Sequence, residues 1–185
     1  MSEHISSSDL KFLEQAKEES YRSPVSMKHG CVAVVNGRVL ATGHNNYRTS
    51  SRDGFICNSC TCHAEMAALR NLNKRTGRRG KNYQHSMNET NLKSLFKKTT
   101  LYIARTGNNG EFRDSGPCID CLNVIKSLNL KKIVYSCSDN SLVVCKPSEY
   151  IPVHHTFGRK HIDKIGNNKY RHAGGQVKEK KSYIE

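Results

Sequence analysis

His63 and Glu65 lie two residues apart in Cys62-His63-Ala64-Glu65, and well downstream Cys118 and Cys121 stand three apart in Pro117-Cys118-Ile119-Asp120-Cys121. Together they offer one imidazole, two thiolates and one carboxylate. The first three satisfy Zn²⁺ and leave its fourth tetrahedral position to water, whereas a structural zinc site closes that position with a further His or Cys. The carboxylate is left for proton work, so the set is the inventory of a hydrolytic metal site.

Each half of the set falls where a helix is expected to begin. Apolar or thiol residues at 118, 121, 122, 125 and 128 mark one face of a helix from Cys118 to Leu128, with Pro117 suited to its start and Asn129 to a left-handed cap. Cys118 and Cys121 then share the face of the first turn. A second helix is expected from Cys62 or His63 through Leu69 towards Asn73. His63 and Glu65 would diverge in mid-helix but can converge at a helix start. Two helix starts aimed at one point bring positive dipole ends to the thiolates and the bound water, lowering their pKa values.

Around these helices the pattern predicts strands at Cys31–Val35 and Arg38–Gly43, joined by Asn36-Gly37 in a type I′ hairpin. A helix over 8 to 21 precedes them, with Ser7 or Ser8 as its cap. A third strand covers Thr99–Ala104, a fourth Lys132–Ser136 and a fifth Leu142–Cys145. The turn Ser138-Asp139-Asn140-Ser141 is too short for a crossover, so the fourth and fifth strands must be antiparallel. Residues 74–98 read as a long basic insertion with a short helix at Asn91–Phe96, and residues 158–185 as a basic tail behind a domain spanning 1–157.

Composition sets the frame. The 185 residues are 36% hydrophobic and 25% charged, which suits one globular domain with a real core. No apolar run approaches a membrane span, and the N-terminus lacks the basic start and apolar stretch of a secretory signal, so an intracellular protein without a membrane partner is expected. The eight cysteines then read as metal ligands and reduced thiols, with Cys31, Cys137 and Cys145 buried in strands. Thirty Lys and Arg against sixteen Asp and Glu give a net charge of +14, which favours phosphate-bearing partners.

The H-x-E and P-C-x-x-C pair resembles the signature of the zinc nucleobase deaminases. From about Cys31 to Cys145 the chain is similar to the cytidine deaminase superfamily, whose branches act on cytidine, deoxycytidylate, adenosine in tRNA or cytosine in nucleic acid. The resemblance implies an α/β fold: three α/β/α layers around a mixed five-stranded sheet, cytidine deaminase-like. It implies that His63, Cys118 and Cys121 bind Zn²⁺. Glu65 would take a proton from the activated water, hand it to ring N3 and later protonate the leaving amine, as hydroxide attacks C4 of cytosine. Gly43-His44-Asn45 resembles the family's G-x-N, which implies a ribose contact for Asn45, with Asn46 as the other candidate. Backbone amides at Ala64 and Cys118 would line the base, and homo-oligomers are implied because neighbouring subunits often complete such pockets.

More than one substrate suits these residues. A cytidine or deoxycytidine nucleoside or nucleotide, with deoxycytidylate as the phosphorylated candidate, stands beside cytosine or adenosine in single-stranded nucleic acid held by Lys74–Lys98 and the tail, where Tyr83 and Phe96 suggest base stacking. A non-catalytic structural module is the third reading. The antiparallel fourth and fifth strands are similar to the free-cytidine branch, while the deoxycytidylate, tRNA and editing branches place a helix before a parallel fifth strand. A four-cysteine ribbon from Cys57, Cys60, Cys118 and Cys121 has too wide a separation and leaves His63 and Glu65 unused. A second metal held by Cys57, Cys60 or Cys62 with a histidine stands beside the alternative of reduced loop thiols. His44, His85 and the pair His154-His155 read as surface histidines.

Overall fold

The computed structural model describes residues 5–56, 59–77 and 89–152. Helix α1 (Ser7–Ser20) opens on a capping box. Ser6 Oγ accepts from Asp9 N at 3.2 Å, and the Asp9 carboxylate accepts from Ser6 N at 3.1 Å and from Ser6 Oγ at 2.7 Å. The cap is therefore Ser6 and not Ser7 or Ser8, because the acid of the first turn must sit three places after the cap to reach back.

Strands β1 (Lys28–Val35) and β2 (Arg38–His44) form the expected hairpin, with Asn36 and Gly37 both left-handed at φ 49° and 72°. β1 starts before Cys31 because Lys28 and His29 pair with Thr106 and Arg105, partners that local propensity does not reveal. The chain continues through α2 (Ala64–Gly77), α3 (Glu89–Lys97), β3 (Thr99–Thr106), β4 (Phe112–Arg113), α4 (Ile119–Ser127), β5 (Lys132–Ser136) and β6 (Leu142–Cys145). The sheet order is β2-β1-β3-β5-β6, with the two-residue β4 added against β3 inside what reads in sequence as a loop. β3 and β5 are parallel and every other pair is antiparallel, including β5 with β6 across the short turn. The mixed sheet is the expected one.

Alternation along the strands separates two cores. Val32, Val34, Tyr102, Ala104 and Val134 pack with Leu13 and Ala16 of α1. Their neighbours Cys31, Ala33, Leu101, Ile103 and Ile133 pack with Leu69, Leu72, Phe96 and Ile125 on the other face. This is the three-layer arrangement, as period-two burial on both sheet faces requires. The helices come within backbone contact of the sheet at two glycines. A Cβ on Gly30 would meet Ala16 O of α1, and one on Gly43 would meet Ala68 N of α2.

The basic insertion is largely helical at both ends. Residues 74–77 form the last turn of α2, which runs past the expected end at Asn73, and α3 takes up residues 89–97. Phe96 is 2% exposed among Leu69, Leu72 and Leu101, so it anchors α3 to the core and offers no face to a base. Residues 78–88 with Tyr83 and His85, and the tail with His154 and His155, lie outside the described residues. So does the boundary at 157.

Candidate metal and catalytic site

Two tethers bring the halves of the signature together. At the first, Cys62 N donates to Asn46 O at 2.8 Å and Asn46 N to Cys62 O at 3.0 Å. This single bridge folds the chain back from the end of β2, so that α2 begins directly after His63, whose carbonyl accepts from Ala67 N at 3.0 Å. At the second, Ser115 is inserted where the pairing of the parallel strands β3 and β5 stops, after Ile103↔Tyr135. Its hydroxyl donates to Ile103 O at 2.8 Å and accepts from Ser136 N at 2.9 Å, and its amide donates to Ser136 O at 3.0 Å. Ser115 is buried, and three residues later the chain reaches Cys118.

α4 starts one residue after Cys118, not at it: Cys118 is the cap, with extended φ −71° and ψ 168°, and its carbonyl accepts from Leu122 N. Pro117 therefore stands outside the helix. Cap and third helical position lie on one side of a helix start, which is why Cys118 and Cys121 both face the His63 ring. Glu65 is the second residue of α2 and sits at the same point, 5% exposed.

His63 Nδ1 lies 3.2 Å from Cys121 Sγ and 3.4 Å from Cys118 Sγ. The edge of a zinc tetrahedron built with ordinary Zn–N and Zn–S lengths is about 3.6 Å. The donors therefore already stand at metal-site spacing, and all three ligand atoms lie within 4.8 Å of one another. They are the only group of this kind among the described residues.

The three donors share protons among themselves, protons that a bound metal would displace. The Cys121 thiol donates to Cys118 and His63 stands beside it, which together hold Cys118 down at about 4 as a thiolate. Cys121, as that donor and fully buried, is held well above the ordinary thiol value. Burial favours the neutral form of His63, but Cys118, Glu65 and Asp120 raise it to about 9. Burial pushes the Glu65 carboxyl up, against the pull of His63. A buried carboxyl raised in this way, beside a metal-ligand set, is equipped to carry a proton.

Asn45 is buried, and its side chain is engaged by β1: Oδ1 accepts from His29 N at 2.9 Å and Nδ2 donates to Met27 O at 2.7 Å. Asn46 uses its side chain on His44 O and Arg48 N. Ala64 is fully buried at the first position of α2. Cys62 is buried in the core with its thiol donating to His63 O at 3.4 Å and does not join the group of His63, Cys118 and Cys121. Cys60 and Cys62 join no ligand group among the described residues, and Cys57 lies outside them. His44 is half-buried, with Nδ1 2.8 Å from the Glu19 carboxylate, and is thus tied to α1 instead of standing free at the surface.

Two further residues feel the charges of the site without a signal in the sequence. His29 is held neutral at about 4 by burial and by the charges of Arg105 and His63. Tyr150 follows β6, stacks edge-on against Tyr135 at 5.5 Å, and has its hydroxyl pushed up to about 12 by burial and by Cys145, Glu65 and Cys118. Neither belongs to a motif. Each is brought in by register or by the return of the chain after β6.

Residues 6–137 match the family model described as the cytidine and deoxycytidylate deaminase zinc-binding region. The chain belongs to this family. Membership makes zinc the cofactor, and the cluster of His63, Cys118 and Cys121 is where this deaminase family member has the donors for it. Among solved structures, cytidine deaminase from Burkholderia pseudomallei is 18% identical over 82% of this chain and 100% of its own, with a TM-score of 0.52, and supports the fold. The dCMP deaminase from the cyanophage S-TIM5 in apo form is 19% identical over 88% of this chain and 95% of its own, with a TM-score of 0.45. No protein in the curated comparison matches the chain significantly. None of the described helices is long and apolar enough to cross a membrane.

Proposed function

We propose that the protein is a hydrolytic deaminase that converts cytosine to uracil, releasing ammonia, in a free cytidine- or deoxycytidine-type nucleoside or nucleotide. The observation that carries this reading is the buried Glu65 carboxyl beside three zinc donors at tetrahedral spacing. Zinc bound there supplies Lewis acidity and an activated water at neutral pH. His63 and the two cysteines fix its position. Glu65 accepts one proton of the water and transfers it to N3 of the ring, then takes the second from the hydroxyl now on C4 and passes it to the amine, which leaves as ammonia while the C4 carbonyl forms. The amides of Ala64 and Cys118, at two helix starts, are proposed to orient the base, and the hydrogen and lone pair still available on the Asn45 amide to meet the sugar.

A free nucleoside or nucleotide is favoured over a polymer by where the lysines stand. Lys74 is in the last turn of α2, the helix whose first turn holds Glu65, and Lys97 and Lys98 precede β3, which Ser115 meets four residues further on, at Ile103. Lys74 stands nine residues beyond Glu65 along α2, about 14 Å at 1.5 Å per residue, so its charge lies away from the base. The antiparallel pairing of β5 with β6 is also the arrangement of the free-cytidine branch. Self-association is part of the proposal, as is a location inside the cell.

The test offers cytidine, deoxycytidine, CMP and dCMP to the zinc-loaded protein and follows the uracil products. Turnover of at least one is expected. Turnover only of cytosine or adenosine within an oligonucleotide would transfer the function to a nucleic-acid editor, and no turnover at all with zinc bound would leave a structural module.

A further inference from the structure

The end of the sheet away from the metal ligands carries four lysines that deamination does not use. Lys98 directly precedes β3 and Lys131 directly precedes the first residue of β5. The two strands are parallel neighbours in the register Thr100↔Lys132, and Lys131 N donates to Thr99 O at 2.9 Å. Lys97-Lys98 and Lys131-Lys132, far apart in sequence, therefore arrive side by side. They line a cleft of about 540 Å³ whose other wall is the start of α1 and the turn at Asn36.

Little in the cleft balances this charge. Lys132 Nζ lies 3.7 Å from Asp9 Oδ1, but the Asp9 carboxylate is already held by Ser6 and by the Tyr102 hydroxyl at 2.7 Å. Among the described residues no carboxylate lies within ion-pair distance of Lys97, Lys98 or Lys131, and all three are exposed. Three ammonium groups around one concavity repel one another, and the first turn of α1 adds partial positive charge from the same side. A multiply charged anion relieves that repulsion.

We propose that this cleft is a second ligand site, one that takes a phosphate-bearing compound other than the base undergoing deamination. The cleft is lined by Phe12, Val34 and Tyr102 on the α1 face of the sheet, whereas Cys118 and Cys121 pack on the opposite face and their loop meets β3 at Ile103, about 13 Å along the strand from Thr99 at 3.3 Å per residue, so both that length and the thickness of the sheet separate the two. A mononucleotide seated in the active site does not span that distance.

The test uses the full-length zinc-loaded protein, with inorganic tripolyphosphate and a single-stranded deoxythymidine dodecamer titrated separately by calorimetry. Lys98→Gln/Lys131→Gln is compared with the charge-matched Lys126→Gln/Lys146→Gln and with Lys98→Arg/Lys131→Arg, all checked for unchanged melting. Tripolyphosphate affinity is expected to fall by about tenfold or more in the first variant only, as two charge-assisted contacts are lost. A parallel loss for the dodecamer, with a salt slope shallower by about 1.4, identifies the phosphates as those of a polynucleotide backbone. Loss confined to tripolyphosphate identifies a free phosphorylated ligand. Unchanged affinity for both probes, or equal weakening in the charge-matched control, overturns the site.

Discussion

Gly116 leaves open the space that the Tyr150 hydroxyl fills: a Cβ built on Gly116 would lie 2.5 Å from Tyr150 Oη. The residue two places before a metal-ligand cysteine is thus matched to an aromatic side chain from beyond the last strand. Gly116→Ala is expected to cost about 1–3 kcal/mol by overpacking. Tyr150→Phe removes the clashing oxygen, so the double variant should recover most of that loss in thermal melting. Equal melting points for Gly116→Ala with and without Tyr150→Phe would show that the hydroxyl does not occupy this space.

Zinc content separates the three donors from their cysteine neighbour. Cys118→Ser or His63→Ala leaves two protein donors, and the bound metal should fall from about one per chain to a small fraction of that. Cys62→Ser should keep about one zinc, since the Cys62 thiol is turned to the His63 carbonyl. Elemental analysis after dialysis reads both. A drop of one zinc in Cys62→Ser from a total of two would instead reveal a second metal.

Asn45 is expected to have a double role. Asn45→Ala strands His29 N and leaves Met27 O with the His29 ring as its remaining partner, which should cost about 1–3 kcal/mol of stability. A ribose contact through the same amide would also raise KM at unchanged kcat, because it binds ground and transition states alike. A stability loss with KM unchanged would assign the sugar to another residue.

Much of this was legible in the residues themselves. Cys118 and Cys121 three apart, His63 and Glu65 two apart, and Asn36-Gly37 between β-prone runs are local signals, and each appears where its spacing requires. What was not legible depends on contacts between distant segments. Ser115 is one serine in a glycine-rich loop until β3 and β5 splay around it, and Tyr150 reaches the site only through the turn after β6. Phe96 looks like an aromatic in a basic stretch because its partners, Leu69, Leu72 and Leu101, lie on other elements. The start of α4 was misplaced by one residue because Pro117 is compatible with both the first helical position and the one before the cap.

Acid should weaken α1 in a defined direction. Burial opposes the Asp9 charge, but hydrogen bonds from Ser6 and Tyr102 and the charge of Lys132 hold its carboxyl below the ordinary value of 3.8. A carboxyl lowered on folding contributes stability above its unfolded pKa and loses that contribution as the pH falls through its folded value. Asp9→Asn should therefore cost about 1–2 kcal/mol near neutrality, from the weakened cap and the bond to Tyr102. The difference from wild type should shrink below about pH 4. A difference that stays constant down to pH 2 would exclude this ionisation as its source.

The central claim is that Glu65 carries the protons of a zinc-dependent deamination. Its most direct test is uracil formation from cytidine and deoxycytidylate by Glu65→Gln with its zinc content measured in the same sample. The expected result is one zinc retained, an unchanged fold and turnover reduced by a factor of about 10²–10⁴ or more. Full metal occupancy with wild-type turnover would contradict the account.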